Sequence, residues 1–382
     1  TKHQPTHIQS GPQFLTAQVR GWVLERELSL AEIPRDWVYP YSFDKMHRSR
    51  GPWSSSVLMV HHWNGTREEI NGPGLRRLAR RSHQEVRKRI RPRKWMRKAL
   101  NARARRRFTP NAVSFSEELF IVADRDNWPV LAPKSDLDII GYLYCLGVYE
   151  SSFQAFMDRV LSGSDVYVDV GANVGQFVLR AGRSLSAYGR VIAIEPNPKT
   201  AEVLEKNVYM WRNRGLSCEI EVRRHAVGDS DQRIAELYVP HDHAGRASTR
   251  SEALNDLNAQ DLFKVQTQCQ PLDAILADVS HVRLIKIDVE GAEPDVLRGA
   301  FSTLLSGRVD YVDLEIQSQF LGNRREELLE MFDQLLLRGA HFCTLGKHGR
   351  LRTGGLDVFR ADPGFRAGHF ILDLTDLDVR SG

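Results

Sequence analysis

The chain is poor in cysteine and has no long apolar run, and each absence excludes whole classes of protein. Its 382 residues hold four cysteines, Cys145, Cys218, Cys269 and Cys343, spaced 73, 51 and 74 residues apart. Without a CxxC pair neither a zinc ribbon nor a disulfide framework is indicated, and a reducing compartment is expected. No apolar stretch approaches the roughly 18 residues that a membrane span requires. The first thirty residues lack the apolar core and small-residue cleavage site of a secretory leader, so the expected location is cytoplasmic. No GK[ST] follows a glycine-rich turn, which excludes a Walker loop.

Negative charge is almost missing from one segment. Between Arg76 and Arg107 there are 16 Lys or Arg and a single acid, Glu85, although the net charge of the whole chain is only +5. The remainder holds 37 basic and 47 acidic residues, so the basic character belongs to that segment alone. Leu75, Leu78, Ala79, Val86 and Ile90 recur there at helical spacing until Pro92 interrupts, and Trp95, Met96, Ala99 and Leu100 resume it. Such an arm attracts phosphate polymers, anionic lipid or an acidic glycan; a solvated linker has the same composition. The expected layout is an irregular N-terminal extension over 1–75, a basic helical arm over 76–110 and an α/β domain over 135–382.

In that last part short apolar strands alternate with amphipathic helices. VYVDV (166–170), VIAIE (191–195), EIEVRRHAV (219–227), VRLIKIDV (282–289) and YVDLEI (311–316) read as strands, AELYV (235–239) as a hairpin strand, and HFCTL and HFILDL as closing strands. Helices are predicted through Arg183, over Lys199 to Arg212, over Asp295 to Leu305 and over Arg324 to Leu337. Val- and Ile-rich strands separated by helices imply a doubly wound, mostly parallel sheet covered on both faces, with ligands beyond the carboxyl ends of the strands.

The first strand runs into VGANVGQF. Gly171 and Gly175 flank Ala172-Asn173-Val174, and the residue where a dinucleotide fingerprint needs its second glycine is Asn173. Asp169 precedes the turn, where it would repel a pyrophosphate and attract an ammonium or sulfonium group. Glu195 follows Gly175 by 20 residues, the place of an acid that accepts ribose hydroxyls. The combination suits S-adenosylmethionine (AdoMet); an ordinary α/β turn with an acid at the edge of the core would read the same way. Further on, LIKIDVEGAEPDVLRGA (284–300) sets Lys286, Asp288, Glu290 and Glu293 at another strand end. Buried charges there are costly unless paired or working. Asp288 and Glu290 share a side while extended structure lasts, and Lys286 could compensate one of them. An ion-pair cluster capping the next helix is the alternative.

In order and spacing, DVGANVGQF, IEPNP, LEKNV and IKIDVEGAE…VLRGA resemble the FkbM family of AdoMet-dependent class I methyltransferases. GVYE (147–150) resembles that family's opening segment. The resemblance covers about residues 135–345 and leaves 1 to about 130 without a counterpart. It implies a seven-stranded Rossmann-like methyltransferase sheet and methyl transfer to a hydroxyl, often of a sugar, glycan or glycosylated metabolite. By the same resemblance Asp169, Gly171, Asn173 and Gly175 hold the methionine part of AdoMet, with Glu150 on its ammonium. Glu195 takes the ribose, with Pro196-Asn197 beside it, and Ala226 and Val227 touch the adenine. His225 could add a hydrogen bond there, while Asn207 is a structural contact.

A neutral hydroxyl must lose its proton during transfer, which calls for a base or a metal. Asp288 is the first candidate base, then Glu290 and Glu315, with Lys286 beside them. The same three carboxylates could instead hold a hard cation such as Mg²⁺. The loop PHDHAGRASTRSE (240–252) could line the acceptor site; its His241 and His243, without a third partner, are a weak metal signal. The basic arm keeps a rival open, a ribose 2′-hydroxyl methyltransferase or a protein binding nucleic acid or an anionic surface. The absence of a [DNS]PP[YFW] turn and of a Pro-Cys dipeptide argues against base methylation.

Overall fold

Strands that read VYVDV, RVIAI and VRLIKI carry apolar residues on both faces, as strands covered from two sides must, and they form the middle of one sheet. The computed structural model describes residues 112–377 apart from 117, 230–232, 242–243, 256 and 362–365. The extension expected over 1–75 and the basic arm expected over 76–110 lie outside the described residues. The chain divides into two units after Gly147. In the first, β1 (Ala112–Ser114), β2 (Leu119–Ala123) and β3 (Pro129–Pro133) form an antiparallel sheet. The turn between β2 and β3 is closed by Asp124, whose carboxylate accepts from the N–H groups of Asp126 and Trp128. Helix α1 (Leu137–Leu146) follows, with the Asp136 carboxylate accepting from Ile139 N–H as its cap.

The second unit begins with α2 (Ser151–Val160), then β4 (Val166–Val170), α3 (Gln176–Ser184), β5 (Arg190–Ile194), α4 (Pro198–Asn213) and β6 (Glu219–Arg223). A small sheet follows: β7 (Ala226–Val227), β8 (Arg233–Pro240) and β9 (Leu262–Gln270). The chain then returns through β10 (Val282–Ile287), α5 (Glu293–Arg298), α6 (Phe301–Leu305), β11 (Val309–Gln317) and α7 (Arg325–Leu337). It ends with β12 (His341–Leu345), β13 (Leu351–Thr353), α8 (Leu356–Ala361) and β14 (Arg366–Asp373).

The large sheet runs β13-β12-β14-β11-β10-β4-β5-β6. From β11 to β6 neighbouring strands are parallel, whereas β14 is antiparallel to both β11 and β12. The doubly wound, mostly parallel arrangement expected from the sequence is therefore present, with eight strands where seven were expected. The addition is β13, a three-residue strand, mostly exposed, with no apolar alternation to announce it. EIEVRRHAV does not stay in this sheet: β6 ends at Arg223, and Ala226–Val227 turns away to pair with β9. The single helix predicted over 295–305 is two, α5 and α6.

Because β5 follows on one side of β4 and β10 lies on the other, the crevice between their carboxyl ends is where such a sheet takes its ligand. Alternate residues of each strand serve different faces. Val168, Val170, Ile285, Ile287, Val312 and Leu314 join one large apolar cluster. The opposite face carries charge under aromatic cover. Among the described residues no helix is long and apolar enough to cross a membrane, and Cys218 and Cys343 are free thiols.

Candidate active site

Register alone assembles the centre of the site. Lys286 of β10 pairs with Asp169 of β4 on one side and with Asp313 of β11 on the other, so three charged residues form a row across the middle of the sheet. All three are shut off from solvent, at 1%, 1% and 0% exposure. Phe153 and Phe156 of α2 and Phe177 of α3 cover the row. Phe177 offers its ring to the Lys286 ammonium at 5.0 Å, and Phe156 packs edge-on against Tyr311 at 5.5 Å. Burial alone would favour a neutral Lys286. Asp288, Glu315, Asp169 and Glu150 outweigh it and hold the amine cationic, far above its ordinary range. Four of the carboxylates singled out in the sequence thus gather around one buried cation, Lys286.

The turn after β4 uses its first N–H groups internally. Gly171 and Ala172 both donate to the Ile194 carbonyl at 3.0 Å, and Asn173 donates to Glu195 Oε2 at 2.9 Å. The other Glu195 oxygen accepts from Asn197 N–H at 2.8 Å. One carboxylate therefore ties the turns after β4 and β5 together. Burial pushes it up to about 7 against the pull of those two N–H groups. Asp169 differs. Its two carboxylate oxygens are buried without a hydrogen-bond partner, and burial raises its pKa to about 7, with Lys286 pulling it down and Asp288 pushing it up.

The two glycines of the turn have different work. Gly171 has φ +87°, and a Cβ there would lie 1.9 Å from the Asp288 carbonyl oxygen, so the turn sits directly on the end of β10. Gly175, with φ +88°, faces α4: a Cβ would meet Leu204 Cδ1 at 2.3 Å and Trp211 at 3.0 Å. Gly175→Ala is therefore expected to destabilise the fold by about 2–4 kcal/mol, from the left-handed backbone and overpacking together. An unchanged urea midpoint would refute this. Asn207 of α4 completes that contact by donating to the Val174 carbonyl at 2.8 Å.

Of the remaining cofactor candidates, Asn197 caps α4 by accepting from Lys199 N–H, and Pro196 precedes it. Ala226 and Val227 are buried in β7, Val227 within the apolar cluster. His225 carries a buried Nε2 without a partner, and burial lowers its pKa.

Beyond β10 the alternation expected to bring Asp288 and Glu290 to one side stops, because the strand ends at Ile287 and Glu290 is left-handed, with φ 51°. Asp288 turns back instead, to 2.7 Å from Lys286 Nζ, with 26% of its side chain exposed. Glu290 has its carbonyl bonded by Ser248 Oγ at 2.7 Å, which brings the 240–252 loop to this end of the sheet. Residues 242 and 243 of that loop lie outside the described residues. Burial, and then the Asp288 charge, hold both Glu290 and Glu315 well above the usual carboxyl range. Glu293 accepts from Gly291 N–H at 3.1 Å and is pushed by burial to about 7. Among the described residues no group of three or more His, Cys, Asp or Glu is arranged to hold a metal ion. Asp288, Glu290 and Glu315 therefore do not fit the Mg²⁺ alternative; a lysine ammonium lies among them.

Residues 169–342 match the family described as "Methyltransferase FkbM domain". Over those residues, a little under half of its length, the chain is similar to FkbM methyltransferases. "Methyltransferase 1" of Beauveria bassiana (strain ARSEF 2860) is 27% identical over 146 residues, 35% of this chain and 57% of that protein. The chain thus spans a little over half the length of this relative. The solved structure of a methyltransferase FkbM from Methylobacillus flagellatus KT is 14% identical, with 63% of this chain and 55% of that one covered and a TM-score of 0.37. An O-methyltransferase from Bacillus cereus in complex with SAH is 12% identical, with 78% and 97% covered and a TM-score of 0.32.

The FkbM match begins at Asp169 and ends at Phe342, short of one residue that the structure adds to the site. His369 of β14 lies against Asp313, its Nδ1 3.1 Å from the carboxylate, and its Nε2 is 3.1 Å from Glu150 Oε2. The sequence marked HFILDL as a strand and gave no sign that it inserts between β11 and β12.

Proposed function

We propose that the chain transfers a methyl group from AdoMet to a hydroxyl of a sugar, glycan or glycosylated metabolite. The observation that carries this is the turn after β4. Its first three N–H groups are committed within the chain, and the carboxylate beside it is buried and unpartnered. An anion or pyrophosphate gains nothing there, whereas a cationic nucleoside adds to the partial compensation that Lys286 gives Asp169. AdoMet fits these residues and supplies a methyl group on an electrophilic sulfonium. Asp169 and Glu150 would face its cationic groups, with Gly171, Asn173 and Gly175 shaping the turn around them. Glu195, which keeps lone pairs beyond the two N–H groups it accepts, would take the ribose hydroxyls. Pro196, Asn197, Ala226 and Val227 would border the nucleoside. Asp288 would accept the hydroxyl proton, with Lys286 fixing its carboxylate and Glu290 and Glu315 lining the acceptor side.

Asp169→Asn tests the cofactor site with little risk to the fold, because an amide of the same shape relieves a buried carboxylate whose burial Lys286 only partly offsets. Calorimetry should show AdoMet binding to the native chain and an affinity at least about tenfold weaker in the variant, which is 1.4 kcal/mol. The melting temperature at pH 8 should be unchanged or higher. Near pH 6 the native chain should also release protons on binding, since the cation draws the Asp169 pKa down from about 7. Equal affinity in the two proteins would sink the assignment.

A further inference from the structure

The strongest arrangement that the methyl-transfer scheme leaves unused is the pairing of His369 with Asp313 and Glu150. Asp313 is fully buried and His369 nearly so, while one-fifth of the Glu150 side chain remains exposed. The imidazole is fixed from three directions. Asp313 meets Nδ1, Glu150 meets Nε2, and the Phe153 ring stacks on its face at 4.6 Å and 13°. Burial alone would favour a neutral ring; Asp313 and then Glu150 outweigh it and raise the pKa to about 10. Glu150 itself is strained. It precedes α2 with φ 44°, a left-handed conformation costing about 1–2 kcal/mol for a residue with a Cβ. Its side chain makes no capping bond to α2. A strained residue that forgoes the usual role of its position is held for another purpose. Glu150 is also one of the four carboxylates around Lys286, together with the unpartnered Asp169.

We propose that His369, oriented by Asp313, is a positioning residue for the cofactor: it fixes the Glu150 carboxylate where that group meets the ammonium of the methionine part of AdoMet. This rests on the reading of Asp169 and Glu150 as the AdoMet site. The last described strand, β14, then completes a site whose other parts come from β4, β5, β10 and β11.

Two amides separate the two links of the imidazole. Asn at 369 keeps a donor near the Nδ1 position, for Asp313, and cannot reach Glu150. Gln keeps a donor near the Nε2 position, toward Glu150. His369→Asn should weaken AdoMet binding about tenfold or more by calorimetry, because the ion pair that fixes the Glu150 carboxylate is lost. His369→Gln should recover part of it. Methylthioadenosine, which has the nucleoside without the ammonium, should bind native protein and both variants alike. A merely structural role for His369 would weaken the two ligands together.

Glu150→Gln, at a partly exposed position, gives a second arm with the same selective loss, and combining it with His369→Asn should add nothing further. Native AdoMet affinity in a folded His369→Asn, or in Glu150→Gln, would overturn the proposal. So would an equal loss for both ligands. Failure of the native chain to bind AdoMet at all would sink the cofactor reading instead, which keeps the two failures apart.

Discussion

Asp288→Asn is expected to slow methyl transfer by about 10²–10⁴-fold, the range a positioned general base supplies, while AdoMet affinity stays within about threefold. Asp288 is the one carboxylate of the β10 end that is both anchored and accessible, at 2.7 Å from Lys286 Nζ and with 26% of its side chain exposed. Its rivals are compromised as bases. Burial and the Asp288 charge hold Glu290 and Glu315 well above the usual carboxyl range, which favours the neutral form over the proton-accepting one. Asn at 288 keeps an oxygen for the Lys286 ammonium, and Glu315, Asp169 and Glu150 remain around that cation, so a drop in rate with an unchanged melting temperature reports proton transfer and not a disturbed fold. Single-turnover rates with the first active acceptor from a panel of sugars and glycosides check this. A full rate in Asp288→Asn with a large loss in Glu315→Gln would move the base to β11.

What the sequence disclosed and what it withheld divide along a physical line. Strands such as VYVDV and IKIDV were legible because apolar residues at nearly every position can only be covered on both faces. The strand-end acids were legible because a charge inside an apolar run demands a partner. Lys286 and Asp288 are indeed paired. Glu290 was placed by assuming that extended structure continues, and a left-handed residue ended it. Asp313 lies within the quoted YVDLEI, yet its weight comes from standing level with Lys286, a pairing between strands far apart in sequence. His369 depends on β14 entering antiparallel between β11 and β12, which no local pattern dictates. β9, whose LFKVQTQCQ mixes polar and apolar residues at the rim, went unread for the same reason.

Lys286→Met is expected to cost about 3–5 kcal/mol of stability at pH 8, the usual penalty for leaving buried charge without its partner, and much less at pH 5. The side chain fills a similar volume and keeps contact with the Phe177 ring, so packing changes little. What changes is charge: Asp169, Asp288, Glu315 and Glu150 lose the one cation they share. A carboxyl whose folded pKa lies above its unfolded value destabilises the fold only where the unfolded chain would be ionised. The penalty is therefore absent below about pH 4, grows as pH rises, and is complete above the folded pKa. Asp169 already stands at about 7 with Lys286 present, and Glu315 is raised as well. Removing the cation pushes both higher and stretches the losing window into the alkaline range. Urea melts of native and variant chains at pH 5 and pH 8 decide the matter. A loss equal at both pH values would mean that Lys286 is held for its packing under the aromatic cover, and that the row across β4, β10 and β11 is not an electrostatic unit. A loss confined to pH 8 would identify Lys286 as the built-in counter-ion that lets this sheet keep a group of carboxylates ready for a cationic ligand.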